Sequence, residues 1–447
     1  MTDDQTVESV RVMSRLERLI TARGVEFTQS IVSDPLCCPS RATYLTGQYA
    51  HNHGVLRNNP PNGGFQALDG RETLPVWLKR AGYYTAHVGK YLNFYGGGEI
   101  PRGWEQWHGL AAEFVNRMYG YLINDDGIRS FYGDASVEDP ALYQTDVLAQ
   151  KAIAIVEERA GRRKPLFLSV STLAPHAEDL DVVPEPPNPR AAPRHAGLFS
   201  DEPLPSSPAV NEADMSDKPT FMQSLPRLSL EGLTVQYQDR LRSLLAVDEM
   251  IGGIVSELRE AGALRQTVLI FTSDNGFLIG EHRINDKLHP YEPSIRVPLM
   301  IRGPGIPKDQ TRSSLVSNID LAPTILDLAG AREEAKIPID GRSLLPAIEN
   351  RPRTDRPVLI EAWCGTHEAC WNPAFPTLPR YQGVRSRDFT YVEHAGGESE
   401  LYDLRKDPFQ LESRHADPDY AEQRATLADA LERLRGCEGR NCRITLP

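Results

Sequence analysis

Apolar residues recur at helical spacing over residues 7–24 (VESVRVMSRLERLITARG), a run that ends in Arg23-Gly24, a helix-stop signature. The same period predicts helices over 72–82 (ETLPVWLKRAG), 145–161 (TDVLAQKAIAIVEERAG) and 237–262 (YQDRLRSLLAVDEMIGGIVSELREAG). Between them the pattern changes to short apolar runs: VEFTQSIVS, YYTAHVGK, PLFLSVS, TVLIFTS, VPLMIRG and PVLIEAW. Runs of this length bounded by polar residues predict strands, several of them buried on both faces. Helices alternating with such strands predict an α/β fold: a large mixed, mostly parallel sheet flanked by helices. Past residue 350 the runs shorten to YQGVRS, DFTYVEH and SELYDL and close on a helix over 419–436. The chain is therefore divided into a domain of residues 1–350 and a smaller C-terminal α+β subdomain of 351–447. Residues 177–228 are proline-rich and follow neither period, which predicts a long irregular segment.

Composition narrows the possibilities. The chain has 447 residues, 40% of them hydrophobic and 25% charged, enough for a sizeable core. Its formal net charge of −12 argues against a nucleic-acid-binding surface, which needs a basic stripe. No apolar run is long enough to span a membrane, and the polar opening MTDDQTVESV lacks a signal-peptide pattern. The six cysteines fall in pairs. The spacings of Cys364 with Cys370 and of Cys437 with Cys442 suit small local disulfides, and so an oxidising compartment; four free thiols are the alternative. Cys37 and Cys38 are adjacent, in LCCPSRATYLTG.

In parallel sheets, ligands gather at the carboxyl ends of the strands, and four short segments place polar residues there. Asp3 and Asp4 stand in TDDQ, and Asp274 and Asn275 follow the run TVLIF. Three carboxylates and an amide oxygen suit a hard divalent cation, calcium or magnesium, better than zinc. Taken alone, such pairs are more often helix caps or turns. Lys90 ends YYTAHVGK, His176 follows PLFLSVS, and Lys287 lies shortly after the Asp-Asn pair. With Arg41 they make a cationic set able to hold an anion inside an acidic protein.

The string Cys37-Cys38-Pro39-Ser40-Arg41 with Leu45-Thr46-Gly47 resembles the C-x-P-S-R…L-T-G signature of the type I sulfatases. TDDQ, GYYTAHVGKYLN, LAPH, FTSDNG, RVPLMIRGPG, NIDLAPTIL and LYDLRKDP follow in that family's order, and HNHGV and GKYLN…IPRGW resemble its N-acetylglucosamine-6-sulfatase branch. The resemblance implies an alkaline-phosphatase-like sulfatase fold and hydrolysis of a sulfate ester, that of a sulfated sugar. It implies that a formylglycine-generating enzyme oxidises Cys37 to 3-oxoalanine (formylglycine), whose hydrate attacks sulfur, Cys38 being the variable neighbour. Asp3, Asp4, Asp274 and Asn275, with the modified Cys37, would hold Ca2+ (or Mg2+). Arg41 would orient the nucleophile, Lys90 and Lys287 would contact sulfate, and His176 would assist the leaving group. The family places these enzymes outside the cytoplasm, so secretion or a periplasmic location is expected, with the cytoplasm as the alternative.

Two departures stand out. Where many sulfatases carry a histidine two residues after the lysine, this chain has Leu92 and then Asn93, leaving His53 as the candidate base for sulfate release. Only Met1 and Thr2 precede Asp3, where the family has a central strand; the expectation is a sheet short of that member, metal ligands on a fraying end, and a sequence truncated relative to its precursor. A phosphonate monoester or phosphodiester hydrolase, and a silent glycan-binding homologue, are the competing readings.

Overall fold

The protein is described from a computed structural model that covers residues 1–178, 188–351, 356–363 and 378–446. Cys364 and Cys370, and the part of the proline-rich segment at 179–187, lie outside the described residues.

The predicted apolar runs become strands, most of them in two sheets. The strands, in chain order, are β1 (Val25–Phe27), β2 (Ser30–Ile31), β3 (Tyr84–Gly89), β4 (Gln106–Ala111), β5 (Tyr121–Asp125), β6 (Ile128–Tyr132), β7 (Leu166–Ser171), β8 (Leu269–Thr272), β9 (Leu299–Arg302) and β10 (Gln310–Arg312). One sheet runs β6-β5-β4-β3-β7 and the other β10-β1-β9-β8. In the first, β4, β3 and β7 are parallel, while β5 and β6 form an antiparallel hairpin arm; in the second, only β1 and β10 are parallel. The sheets are thus mixed, and Lys90 and His176 follow the ends of the parallel pair β3 and β7 (register Gly89↔Ser171).

The N-terminus joins the two sheets. Met1 donates its amine to the Val170 carbonyl (2.8 Å) and accepts from Thr172 N (3.0 Å). Thr2 donates to the Thr272 carbonyl (3.0 Å) and accepts from Asp274 N (3.1 Å). Two residues therefore tie β7 to β8, at the carboxyl ends of both. The expectation of a fraying end is corrected: Thr2, Asp3, Asp4 and Gln5 are all buried, held by backbone bonds on both sides.

Helices cover both faces. On one, the 31-residue helix Leu230–Glu260, capped by the Ser229 hydroxyl on Gly232 N (3.2 Å), packs Leu244, Val247 and Ile251 against Leu16, Phe271 and Met300. On the other, Ala42 and Leu45 of helix Cys37–Thr46 pack against Val55, Tyr91 and Trp107. Residues 7–24, predicted as one helix, form a 3-10 turn (Glu8–Val12), a short α-helix (Ser14–Leu19) and a second 3-10 turn (Thr21–Arg23). The described part of 188–228 is irregular, as its composition predicts, apart from single turns at Pro193–His195 and Thr220–Gln223.

Towards the C-terminus, β11 (Val316–Ser317) pairs with β2, and β12 (Val358–Ala362), β13 (Tyr381–Arg385), β14 (Phe389–His394) and β15 (Ser399–Asp403) form an antiparallel meander. Helix Ala421–Leu434 seals one face of this meander with Leu427, Leu431 and Leu434, and a Cys437–Cys442 disulfide (Cα–Cα 5.0 Å) follows it.

Candidate active site

Cys37 is the first residue of helix Cys37–Thr46, and Arg41 lies one turn on, on the same face. Leu36 precedes the helix in an extended conformation and offers no side-chain cap, so the positive end of the helix is directed at the site. The helix ends at Gly47 (φ +68), where a Cβ would meet Ile339 at 2.9 Å; a glycine stop is needed there.

The structure brings every sequence-predicted site residue except His53 to the carboxyl ends of β3, β7 and β8. Cys37 Sγ lies 3.0 Å from Lys287 Nζ, 3.7 Å from Asp3 Oδ1 and 3.8 Å from Lys90 Nζ. Arg41 spans the site, donating Nε to Asp274 Oδ2 (2.8 Å), Nη2 to Asp3 Oδ2 (3.1 Å) and Nη1 to the Lys90 carbonyl (2.6 Å). Lys90 Nζ pairs with Asp3 Oδ2 (2.6 Å) and Lys287 Nζ with Asp4 Oδ1 (2.5 Å). His176 Nε2 faces Asp4 Oδ2 at 3.7 Å, while its Nδ1 is 2.6 Å from the Ala177 carbonyl. All of these groups except His176, which is 13% exposed, are essentially withdrawn from solvent.

This burial governs the electrostatics. It pushes the carboxyls of Asp3 and Asp4 up, but the neighbouring cations outweigh it: Lys90, His176 and Arg41 hold Asp3 low, and Lys287 holds Asp4 low. Burial and the Asp3 carboxylate push the Cys37 thiol up to about 11, against the pull of Lys287 and Lys90. At neutral pH an unmodified Cys37 is therefore a thiol, not a thiolate nucleophile. Burial lowers His176 to about 4, more than Asp4 raises it.

Four of these groups could together hold a metal ion. Donor atoms of Asp3, Asp4, Cys37 and His176 lie within 4.8 Å of one another. Asn275 donates its amide nitrogen to Asp4 Oδ1 (2.6 Å) and the Gly276 carbonyl, and its buried Oδ1 has no hydrogen-bond partner. An orphaned acceptor beside three carboxylates is an arrangement that an oxygen-seeking divalent ion satisfies.

His53 does not join the cluster: its ring bonds the Thr43 hydroxyl (3.0 Å) and accepts from Val55 N (3.1 Å). Cys38 is a packed neighbour whose sulfur receives Asn93 N (3.0 Å) and whose amide donates to Asn58 Oδ1 (2.9 Å). Asn93 thus serves the helix start.

Sequence reasoning missed three residues that hold the site. Ser40 donates to the Asp274 carbonyl and receives Asn318 Nδ2 (2.9 Å), fixing Asp274 to the nucleophile helix. Arg240, buried in the long helix, donates to the carbonyls of Asp4 and Pro175 and stacks 4.5 Å over Phe277. No local signal marks it, because its partners are far away in the chain.

Residues 5–331 match the sulfatase family, and residues 280–436 match the C-terminal region of N-sulphoglucosamine sulphohydrolase. The chain belongs to the sulfatase family. It is 31% identical to human N-acetylglucosamine-6-sulfatase, covering 99% of this chain and 85% of that protein. It is 35% identical to an extracellular sulfatase SULF-1 homolog of Drosophila melanogaster over 80% of this chain. It spans only 31% of that relative, and 48% of the related Caenorhabditis elegans protein. A solved structure in complex with its substrate D-glucosamine-2-N,6-O-disulfate superposes with a TM-score of 0.77 at 27% identity, covering 97% of this chain and 95% of that one.

Proposed function

We propose that the protein hydrolyses a sulfate ester of an amino sugar, with Cys37 as the precursor of its nucleophile. The observation that carries this reading is the buried convergence of Cys37, at a helix N-terminus, with Lys287, Lys90 and Arg41 and three carboxylates. A site with that balance binds a tetrahedral anion next to a cation. Oxidation of Cys37 to formylglycine by a dedicated maturation enzyme supplies a hydrated aldehyde, a hard oxygen nucleophile for sulfur. Asp3, Asp4, Asp274 and Asn275 Oδ1 would hold calcium, which would supply Lewis-acid charge to the anion.

The remaining chemistry belongs to the chain's own side chains. Lys90 and Lys287 bind the sulfate oxygens, and each such contact contributes about 3–4 kcal/mol when it strengthens in the transition state. Arg41 fixes Asp3, Asp274 and the turn after β3 in one plane, orienting position 37. His176 acts on the leaving group. Its Nδ1–H is committed to the Ala177 carbonyl, so Nε2 donates to the ester oxygen only as imidazolium. The negative charge of bound substrate favours that form. The amino-sugar substrate is supported by the relatives named above, and a secreted or periplasmic location by the Cys437–Cys442 disulfide. No helix among the described residues is long and apolar enough to cross a membrane.

The test compares kcat/KM for an aryl sulfate and an aryl phosphonate, with mass spectrometry of the peptide containing Cys37. The sulfate is expected to be preferred, the peptide to carry an aldehyde, and Cys37→Ala to lose about a thousandfold or more. A preference for phosphonate, or full turnover with an intact thiol, would sink the reading.

A further inference from the structure

At the end of the sheet opposite the candidate active site lies a cavity of about 710 Å³. Leu264 and Arg265 reach it just before β8 begins, and Arg302 and Gly303 just after the antiparallel β9 ends, so β8 itself separates it from Asp274. Leu19, Leu264 and Ile306 give it apolar lining. Arg18, Arg23, Arg259, Arg265, Arg302 and Lys308 also line it, and no carboxylate does.

These cations are handled differently from their neighbours. Arg11 pairs with Glu8 and Glu202, Arg15 with Asp248, and Arg194 with Asp146 and Glu249. Among the described residues, none of the six around the cavity makes an ion pair, and Arg302 spends one donor on the Leu19 carbonyl (2.5 Å). Burial, then Arg23 and Arg259, lower the basicity of Arg302: like charges crowd here without compensation. In a chain of net charge −12, such a concentration focuses a local positive field. The concavity sets it apart from a flat, non-specific patch, and its apolar lining suits a ring face as well as an ion.

We propose that this cavity is a second anion site that binds a multiply sulfated saccharide segment away from the catalytic centre. The choice of a sulfated glycan rests on the substrate reading above; the charge of the site does not. A chain held there is kept near a protein whose remaining surface repels it, which raises the local concentration of ester groups at the catalytic end.

The experiment measures binding of a heparin oligosaccharide of defined length to the full chain by fluorescence anisotropy, over a range of salt. The triple variant Arg23→Glu/Arg259→Glu/Arg302→Glu is expected to bind about tenfold or more weakly. Its slope of log affinity against log salt should fall by about 2. Because Arg302 also holds the Leu19 carbonyl, Arg18→Glu/Arg265→Glu, at exposed positions, is measured beside it and is expected to weaken binding in the same direction. Arg129→Glu, exposed on the edge strand β6 of the other sheet, is the charge control. Turnover of a small aryl sulfate should be the same in all of them. Heparin binding equal to that of the control in both cavity variants overturns the site. Inorganic polyphosphate of matched charge binding as tightly as heparin overturns the glycan assignment. Loss of aryl sulfate turnover in the unsubstituted chain, with heparin binding intact, counts against the hydrolase reading and supports this site as independent of it.

Discussion

Arg240 carries more of the site than its place in the chain suggests. Its guanidinium is buried, donates to the backbone of both Asp4 and Pro175, and lies over the Phe277 ring. Asp4 is a candidate metal ligand held at φ +65, in the left-handed region, and Pro175 directly precedes His176. One side chain thus fixes a strained ligand and the turn that presents the histidine. In Arg240→Met two buried carbonyls lose their partner, at about 1–3 kcal/mol each. The larger effect is expected at the metal: apparent calcium affinity, read from the calcium dependence of the melting temperature, should fall about tenfold or more. Arg240→Lys, which reaches one carbonyl, should recover part of it. Unchanged calcium affinity in Arg240→Met would show that Asp4 is held without it. Cys37 and Arg41 were readable in the sequence because the signature compresses them into one helical turn. Arg240 was not, because its partners are 236 and 65 positions away and an arginine in an amphipathic helix reads as a solvated face.

At the scale of elements, strands were legible and breaks were not. The run VESVRVMSRLERLITARG has the right period for one helix, yet it divides at Met13, whose φ/ψ of −97/72 is not helical. The cause is Asp248, on the long helix, whose carboxylate accepts from Arg15 N (3.0 Å) and Leu16 N (2.8 Å) and so starts a new helix at Ser14. A cap supplied from more than 230 residues away leaves no local signature. The opposite case is the strand end Gly89-Lys90, where the glycine was readable as punctuation and its reason is now visible. Gly89 has φ +102, and a Cβ on it would meet the Ser171 carbonyl oxygen at 1.9 Å. Only glycine lets β3 approach β7 closely enough for Lys90 N to donate to Ser171 O (2.8 Å) and for Lys90 to point into the site. Gly89→Ala is expected to destabilise the fold by about 2–4 kcal/mol. Urea unfolding should show a lower midpoint with the same slope, and the protein still folded at low temperature should bind sulfate more weakly. A midpoint equal to that of the parent chain would contradict the close approach.

For the whole molecule, the site is a junction of five chain regions: residues 3–4 between the sheets, 37–41 at a helix start, 90 after β3, 176 after β7, and 274–287 after β8. The topology that collects them was legible as strand ends. How the first residues would be anchored was not, because the bonds of Met1 and Thr2 to Val170, Thr172, Thr272 and Asp274 are backbone bonds that side-chain pattern does not encode. Charge decides how this junction behaves when its cation is removed. Asp3, Asp4 and Asp274 are matched by Lys90, Lys287 and Arg41 in direct pairs, so the carboxylates remain compensated by side chains alone. The fold should therefore survive chelation, although breaking one of these buried pairs by mutation would cost about 3–5 kcal/mol. A saturating ion contributes about 3 kcal/mol of linkage at a hundredfold excess over its dissociation constant, which in a chain of this size is a shift of about 5 °C or less. On treatment with EDTA, calorimetry should show one native-like transition lowered by no more than this, with turnover lost and both restored by calcium. The reason would be that Lys90 and Lys287, then committed to Asp3 and Asp4, would not be free for the proposed sulfate. Unfolding on chelation would mean that the cation, and not the ion-pair network, holds the junction together.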